Sequence, residues 1–371
     1  MKKHCFSFLV MLSCIAVQAQ EKTYNLLVGT YTNTCDSNGI YVYDFDSNTG
    51  DFNFKNSSTP TDNPSYLSVS KNNDFIYSVN ELGSDSKASA FSYQATDGAI
   101  TFLNSKATQG ADPCYLINDD ENVITANYSG GSISVFSKNN DGSLGDLKQS
   151  IKHIEKGINK ERQEASHIHM VEFSPDKKFV LATNLGNDKL YSYAYDAVDY
   201  STPLKLVDSV AVAAGSGPRH FTFSKDGATL YLVNELNGSL NVYDYNNGHL
   251  KSKQTTSIIS KGFKGKFTAA AIITSHDGKF LYVTNRGEAN TISTFEIVKN
   301  GKLKPKGESS TLGNGPRSFA IDPSGNYLLI AHQYTNNIMI FKRNKITGEL
   351  TDTGKRIELC SPVCLVFTEQ Q

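Results

Sequence analysis

GPRHFTFSKDGATLYLVNEL, at residues 217–236, is the stretch that indicates the fold. It contains two runs of alternating apolar residues joined by the polar turn SKDGA, and such runs between Gly, Asn and Asp residues are typical of β-strands. The stretch therefore predicts a β-hairpin. Its opening Gly-Pro-Arg recurs 98 residues later, in GPRSF at 315–319, which indicates a repeat of half that spacing.

Six further copies of the first strand can be aligned with GPRHF, at spacings of about 46 to 55 residues, the range of propeller blades. They read NPSYLSV at 63, DPCYLIN at 112, HIHMVEF at 167, AAAIITS at 269, GPRSFAI at 315 and SPVCLVF at 361. Most copies continue into a second, a third and a weaker fourth strand. The chain starts within a repeat, with YNLLVGTY and GIYVYDF, and finishes on the isolated copy SPVCLVF. The sequence therefore predicts an all-β fold, a seven-bladed β-propeller of four-stranded blades whose C-terminal strand completes the first blade.

The N-terminus has the pattern of an export signal. A basic start, MKK, precedes the apolar run FSFLVML, and Val17-Gln18-Ala19 resembles a small-residue cleavage site. We predict a signal peptide over 1–19 and a single propeller domain over 20–371, in a periplasmic or secreted protein. The alternative is a lipoprotein anchored at Cys14.

The overall charge limits the partners. The chain has 36 Lys and Arg residues against 37 Asp and Glu, for a formal net charge of −1. Nucleic acids and anionic membranes attract proteins with a strong basic excess, so neither is the expected main partner. We expect a monomer without a membrane span that binds a small molecule.

Four cysteines lie beyond the predicted signal peptide: Cys35, Cys114, Cys360 and Cys364. The last two are four residues apart in one predicted strand, which separates their Cα atoms by roughly 13 Å, beyond disulfide reach. An exported protein could form disulfides. We nevertheless predict that the cysteines are mostly free and buried.

Polar residues recur where the channel-lining strands begin and where their hairpin partners end. We expect Arg219 near the channel mouth, opposite Asn234 and beside Glu235, because the two strands are antiparallel. The positions equivalent to Arg219 in the other blades are Ser65, Cys114, His169, Ala270, Arg317 and Val363. Those equivalent to Glu235 are Thr30, Glu81, Tyr128, Leu185, Arg286 and Gln333, with Asn184 and His332 one residue inward. One mouth should therefore collect three arginines, a histidine and two glutamates.

These residue types suit acid–base chemistry on an anionic substrate. Arginines hold anions and stabilise a developing oxyanion, whereas Glu or His moves protons near neutral pH. A structural interpretation remains open: the arginines could tie neighbouring loops, and Glu81 could serve only as an ion-pair partner. His167 and His169 share one strand face, but a third metal ligand is not evident and we predict no metal. Phe223 and Tyr231 are expected in the core.

At four stretches the chain resembles the lactonase family with a seven-bladed propeller, which includes bacterial 6-phosphogluconolactonases of this type and fungal carboxy-muconate cyclases. The stretches are RQEASHIHMVEFSPD at 162–176, GPRHFTFSKDG and YLVNEL within 217–236, YVTNR at 282–286 and GPRSFAIDPSG at 315–325. The resemblance implies a cofactor-independent site at the channel mouth. It places the family's catalytic residues on His169, Arg219, Glu235 and Arg286. Residues expected to bind substrate are Arg317, Gln333, His332, Tyr128, Glu81 and His167.

The resulting hypothesis is a lactonase that hydrolyses a sugar-derived, anionic lactone. Either Glu235 or His169 could be the base, and the related cyclases show that the direction of the reaction is open. The alternative is a non-enzymatic exported propeller that acts as a binding or adhesion scaffold. That scaffold would not need an acid and a base that converge on one pocket.

Overall fold

The computed structural model describes residues 23–370, and these form seven antiparallel sheets of four strands each. This confirms the predicted seven-bladed propeller. The predicted signal peptide over 1–19 and the alternative anchor Cys14 lie outside the described residues.

Turns and loops connect the strands, and one loop, over residues 153–167, joins β11 to β12. The first fifteen are β1 Thr23–Thr30, β2 Ile40–Asp46, β3 Phe52–Ser57, β4 Tyr66–Val69, β5 Phe75–Asn80, β6 Lys87–Gln94, β7 Ala99–Ala107, β8 Pro113–Asn118, β9 Asn122–Asn127, β10 Ser132–Lys138, β11 Leu144–Lys152, β12 Ile168–Phe173, β13 Phe179–Asn184, β14 Lys189–Tyr195 and β15 Leu204–Ala211. The others are β16 Pro218–Phe223, β17 Thr229–Asn234, β18 Ser239–Asn246, β19 His249–Ser257, β20 Phe267–Thr274, β21 Phe280–Gly287, β22 Thr291–Ile297, β23 Leu303–Ser310, β24 Pro316–Ile321, β25 Tyr327–His332, β26 Asn337–Arg343, β27 Leu350–Glu358 and β28 Pro362–Glu369. Three short 3-10 helices accompany them, at Gly83–Asp85, Leu185–Asn187 and Lys299–Gly301.

The C-terminal strand closes the ring as predicted. β28 pairs antiparallel with β1, from Tyr24 opposite Glu369 to Thr30 opposite Pro362, in the sheet order β28-β1-β2-β3. The first blade is thus built from both ends of the described chain. Because β1 and β28 pair with each other, neither strand has unpaired backbone groups on the side that faces the other.

The hydrophobic core lies between neighbouring blades. One cluster joins Leu26 and Val28 of β1 to Leu329 of β25 in the last blade. Tyr231 is fully buried, and Phe223 packs partly buried against another such cluster. Both aromatic residues are therefore in or against the core, as predicted. No helix among residues 23–370 has the length and apolar character needed to cross a membrane.

A β-bulge recurs where the channel strand of a blade begins. In the blade that contains GPRHF, Pro218 pairs with Asn234 and His220 with Val233, so Arg219 has no residue opposite it. The prediction that Arg219 faces Asn234 is therefore wrong by one residue. The same extra residue occurs in four other blades, at Cys114, His169, Arg317 and Val363. A bulge bends the strand and changes the direction in which the extra residue's side chain points. In this protein the extra residues include His169, Arg219 and Arg317, which the sequence predicted for the site.

The prediction for the cysteines is wrong for one pair. Cys35 and Cys360 form a disulfide with their Cα atoms 5.9 Å apart, whereas Cys114 and Cys364 are free and buried. Cys35 follows β1 and Cys360 precedes β28, so the pairing of these two strands brings the residues together. Their sequence separation of 325 residues concealed this proximity.

Candidate active site

A cavity of about 230 Å³ lies at one end of the central channel. Its lining side chains are Tyr31, Glu81, Cys114, Tyr128, Arg162, His169, Glu235, Arg286 and Arg317. Six of these were predicted from the sequence: Glu81, Tyr128, His169, Glu235, Arg286 and Arg317. They come from separate blades, and the circular arrangement of the blades brings them to one place.

Glu235 is the centre of the polar contacts. Its Oε1 accepts a hydrogen bond from Arg162 Nη2 at 2.8 Å and lies 3.3 Å from Arg286 Nη2. Its Oε2 accepts one from Arg219 Nε at 2.9 Å and lies 3.8 Å from His169 Nε2. The Glu235 side chain is only 5% exposed. Three guanidinium groups therefore compensate a carboxylate that is almost removed from water.

This environment fixes the charges of the site at neutral pH. Burial would raise the pKa of Glu235, but Arg286, Arg219 and Arg162 outweigh it and lower that pKa to about 2. Burial lowers the pKa of His169 well below its ordinary value, and the nearby positive charges of Arg219 and Arg317 add to this effect. Glu235 is consequently ionised, whereas His169 is a neutral imidazole.

Arg219 lies behind Glu235 and is not part of the cavity wall. It is 1% exposed, and its Nη1 donates to the carbonyl oxygen of Ala270 at 2.7 Å. Burial and, after it, the positive charge of Arg286 outweigh the effect of Glu235 and lower the pKa of Arg219 to about 9. Arg219 thus lies close to the channel mouth, but it is buried and anchors the Glu235 carboxylate instead of lining the cavity.

Arg286 is the cationic residue that reaches the cavity from beside Glu235. Its Nη2 donates to the carbonyl oxygen of Ala269 at 3.1 Å. Its Nε has no hydrogen-bond partner among residues 23–370. Arg286 therefore combines a buried, unpaired Nε with a guanidinium group that lines the cavity close to Glu235.

A free thiol completes the floor of the cavity. Cys114 Sγ lies 3.7 Å from His169 Nδ1 and 3.3 Å from the His169 carbonyl oxygen. Burial raises the pKa of the Cys114 thiol, so this group stays protonated at neutral pH. A protonated thiol is a poor nucleophile, and Cys114 packs beside the histidine without being activated by it.

The opposite wall is formed around Glu81. Its Oε1 accepts hydrogen bonds from the Tyr31 hydroxyl at 2.9 Å and from Ser65 Oγ, and lies 3.9 Å from Arg317 Nη2. The Arg317 guanidinium also lies over the Tyr31 ring, 5.4 Å from its centroid. Glu81 therefore has the ion-pair contact that the structural interpretation anticipated.

Three residues predicted to bind substrate do not line the cavity. His167 stacks on Tyr128 with ring centroids 4.4 Å apart, and its Nδ1 lies 3.1 Å from the Tyr128 carbonyl oxygen. His332 is fully buried with its ring against Gly313. Gln333 is outside the cavity wall. His167 thus supports Tyr128 from behind, which the strand periodicity alone did not show.

Sequence reasoning did not select Tyr31, Cys114 and Arg162 as site residues. Cys114 occupies the bulge position of its blade, and that equivalence was a usable signal. Arg162 lies in the loop before β12, within the RQEASHIH stretch, and Tyr31 directly follows β1. Loop residues have no strand period, so the repeat could not place these two.

No group of three or more His, Cys, Asp or Glu side chains capable of holding a metal ion occurs within residues 23–370. His167 and His169 do not converge: the Nε2 of His167 lies 3.3 Å from Glu164 Oε1, while that of His169 lies 3.8 Å from Glu235 Oε2. The two histidines thus have separate polar partners.

The fold and the site define the class of protein. A family model described as "Lactonase, 7-bladed beta-propeller" matches residues 25–367, and the chain belongs to this family. The chain is 35% identical to the 6-phosphogluconolactonase of Bacillus subtilis over 349 residues, which cover 92% of this chain and 98% of the relative.

Solved structures agree with this assignment. A Bacteroides fragilis protein of 39% identity superposes with a TM-score of 0.91, covering 95% of this chain and 99% of the other. The periplasmic gluconolactonase of Pseudomonas aeruginosa is 34% identical and superposes with a TM-score of 0.89, covering 94% of this chain and all of the other. These relatives match the whole propeller and not an isolated blade.

Proposed function

We propose that this protein is a 6-phosphogluconolactonase-like enzyme that hydrolyses a sugar-derived, anionic lactone. One observation carries the proposal: the ionised Glu235 and the neutral His169 meet at a cavity that the Arg286 guanidinium also lines. A proton acceptor and an oxyanion donor side by side are the groups that ester hydrolysis requires. Relatives of similar length that bear lactonase names support it.

The cavity suits a small anionic substrate. Its volume of about 230 Å³ is below the range of drug-sized pockets and fits a molecule of monosaccharide size. Three arginines line it, a fourth lies directly behind, and only two glutamates balance them. The resulting excess of positive charge favours a ligand that carries negative charge.

In the proposed mechanism the acid–base pair activates water. The lactone carbonyl oxygen lies toward Arg286, whose guanidinium donates to the oxyanion that forms when water adds to the carbonyl carbon. The Glu235–His169 pair accepts the proton that this water loses. Collapse of the intermediate breaks the bond between the carbonyl carbon and the ring oxygen, and the same proton passes to the leaving alkoxide. Arg219 does not touch substrate in this scheme but positions Glu235.

We further propose that the protein acts outside the cytoplasm. The Cys35–Cys360 disulfide is of the kind that persists in oxidising compartments. The similar Pseudomonas aeruginosa protein is a periplasmic gluconolactonase. N-terminal sequencing of the mature protein tests this, since cleavage near Ala19 is expected and a lipidated Cys14 would replace the signal-peptide interpretation.

The test of the activity is an assay of the purified protein against a panel of aldonolactones, with and without a phosphate group. Glu235→Gln should lower kcat/KM at least about a hundredfold, because it removes the ionised member of the Glu235–His169 pair without changing the side-chain shape. Glu161→Gln, an exposed carboxylate near the site, is the matched control and should keep wild-type activity. Activity should also survive treatment with a chelator, since the proposed mechanism uses no metal.

Arg219→Ala tests the proposed role of Arg219, which is to position Glu235. The variant should lose activity and also melt at a lower temperature, because it removes a buried side chain that pairs with Glu235.

If wild-type protein hydrolyses no lactone of the panel, the binding-scaffold hypothesis takes precedence.

A further inference from the structure

Arg162 differs from the other arginines of the site in its exposure. Its side chain is 37% exposed, compared with 2% for Arg219, 11% for Arg286 and 18% for Arg317. It is therefore the site cation with the best access from solvent. Its contacts with the site are made by one atom, Nη2, which donates to Glu235 Oε1 at 2.8 Å and to the Tyr128 hydroxyl at 3.3 Å.

The backbone that carries Arg162 is firmly anchored. The next residue, Gln163, is fully buried, and its Nε2 donates to the Leu185 carbonyl oxygen at 2.9 Å while its Oε1 accepts from the Asn159 amide at 3.1 Å. The Arg162 amide itself donates to Asn159 Oδ1 at 3.1 Å. Because the backbone is held, the guanidinium can change partners by side-chain rotation alone, without movement of the loop.

The resting contacts of Glu235 conflict with a role in accepting a proton. Both carboxylate oxygens already accept hydrogen bonds from arginines, and three positive charges hold its pKa at about 2. A general base works best when its pKa is close to the working pH. Glu235 thus needs to lose one cation before it becomes an effective base, and Arg162 is the exposed one.

We propose that Arg162 is a specificity-determining residue that exchanges Glu235 for an anionic substituent of the lactone, of the phosphate monoester class. In the free enzyme Arg162 binds Glu235 Oε1. In the complex its guanidinium binds the phosphate group, and Glu235 Oε1 becomes available to the attacking water. This inference rests on the proposed lactone hydrolysis and adds the means by which the correct substrate activates the base.

The exchange is chemically balanced. Arginine binds carboxylate and phosphate oxygens in the same planar, charge-assisted geometry, so the guanidinium leaves one anion for another. Glu235 keeps its contacts with Arg219 and Arg286 and stays in position. A lactone without a phosphate group leaves Arg162 on Glu235, which predicts slower turnover of the uncharged substrate.

The experiment compares 6-phosphogluconolactone with glucono-δ-lactone on the full chain. Arg162→Gln should lower the preference for the phosphorylated substrate, which is kcat/KM for 6-phosphogluconolactone divided by kcat/KM for glucono-δ-lactone, at least tenfold. Arg162→Lys should restore part of this preference because it keeps a cation. Lys160→Gln, an exposed lysine on the same loop, is the matched control and should leave the ratio unchanged. Added phosphite should accelerate glucono-δ-lactone hydrolysis by the wild-type protein but not by Arg162→Gln.

The pH profile gives a second readout. Removing a cation raises the pKa of a neighbouring carboxyl group, so the acidic limb of kcat/KM for glucono-δ-lactone should move to higher pH in Arg162→Gln. An equal loss for both substrates, with phosphite acceleration retained, would overturn the proposal and leave Arg162 as a structural tie.

Binding separates this inference from the proposed function. If wild-type protein hydrolyses neither lactone, the proposed function fails, but calorimetric titration with 6-phosphogluconate and gluconate still tests Arg162. Arg162→Gln should then weaken binding of 6-phosphogluconate at least tenfold and leave gluconate unaffected. Unchanged affinity for 6-phosphogluconate would overturn the phosphate contact.

Discussion

At the scale of single residues, the buried Glu235 and the half-buried Glu172 show how surroundings set the protonation state. Glu235 has a pKa lowered to about 2, because its arginine neighbours outweigh its burial. Glu172, on channel strand β12, has a pKa raised to about 7, because burial dominates over its hydrogen bonds from the Phe173 amide and the Tyr115 hydroxyl. Glu172 borders a cavity of about 820 Å³ lined largely by apolar and aromatic side chains. No arginine or lysine lines that cavity, so nothing there replaces the lost hydration of a carboxylate.

Glu172 should make the protein less stable as the pH rises. Its folded pKa lies above its unfolded value of 4.5, so between about pH 4.5 and pH 7 the unfolded chain releases a proton that the folded chain keeps. The free energy of unfolding of the wild type, relative to Glu172→Gln, should fall by up to about 3 kcal/mol across this window. Urea unfolding at pH 4.5 and pH 8 measures the difference. A constant difference at both pH values would show that Glu172 titrates normally.

At the scale of elements, the repeated bulge explains why Gly-Pro-Arg occurs twice. Arg219 and Arg317 are both the extra residue of a bulge at the start of a channel strand, in β16 and β24. Their surroundings nevertheless differ. Arg219 is buried behind Glu235, whereas Arg317 lines the cavity beside Glu81. The same local geometry thus serves two positions with different duties.

Arg317→Ala should mainly raise KM. Arg317 lines the cavity and has its ion-pair contact with Glu81, so we expect it to contribute to binding without contacting Glu235 or His169. An interaction of equal strength with the substrate and the transition state changes KM and leaves kcat nearly constant. Steady-state kinetics on an active lactone measures both constants. A large fall in kcat with an unchanged KM would instead assign Arg317 to the chemical step.

At the scale of the whole molecule, stability depends on joining the two ends of the described chain. β28 supplies the fourth strand of the first blade and contacts the inter-blade core through Leu365. The Cys35–Cys360 disulfide links the same blade covalently. The ring is therefore closed by strand pairing, by core packing and by one covalent bond.

Deleting residues 362–371 should strongly lower the melting temperature or prevent folding. The deletion removes β28, exposes the edge of β1 and leaves apolar side chains of the first blade uncovered. Deletion of Gln371 alone, which removes no residue of β28, is the matched control and should have little effect. A melting temperature equal to that of the wild type after the longer deletion would contradict closure at this blade.

Reduction of the disulfide should lower stability without abolishing the fold. Opening a long covalent loop increases the freedom of the unfolded chain, and native disulfides of this kind typically contribute about 2–4 kcal/mol. The Cys35→Ser, Cys360→Ser double variant should melt below the wild type and should not respond to dithiothreitol. The wild type should fall to the same melting temperature when reduced. An equal melting temperature of the wild type with and without dithiothreitol would show that the disulfide does not contribute to stability.

The repeat determined the blades, their number and the closure of the ring, and it also selected six of the nine residues that line the cavity. These features depend on local signals: strand alternation, turn residues and a fixed period place equivalent positions at equivalent points of a ring. His169, Glu235 and Arg286 could be predicted on this basis because each lies at or directly beside the end of a channel strand or its partner.

Only the tertiary structure decided the remaining features, because they depend on distances between segments that are remote in sequence or lack a period. The bulge leaves Arg219 without a residue opposite it, and one inserted residue of this kind is invisible to a count along a hairpin. The burial of Arg219 behind Glu235 also appears only in three dimensions. Arg162 and Tyr31 reach the cavity from loops, and Cys35 meets Cys360 through the pairing of β1 with β28. The sequence by itself thus determined the ring and the residue types at its mouth, while three-dimensional packing determined which of them contact one another.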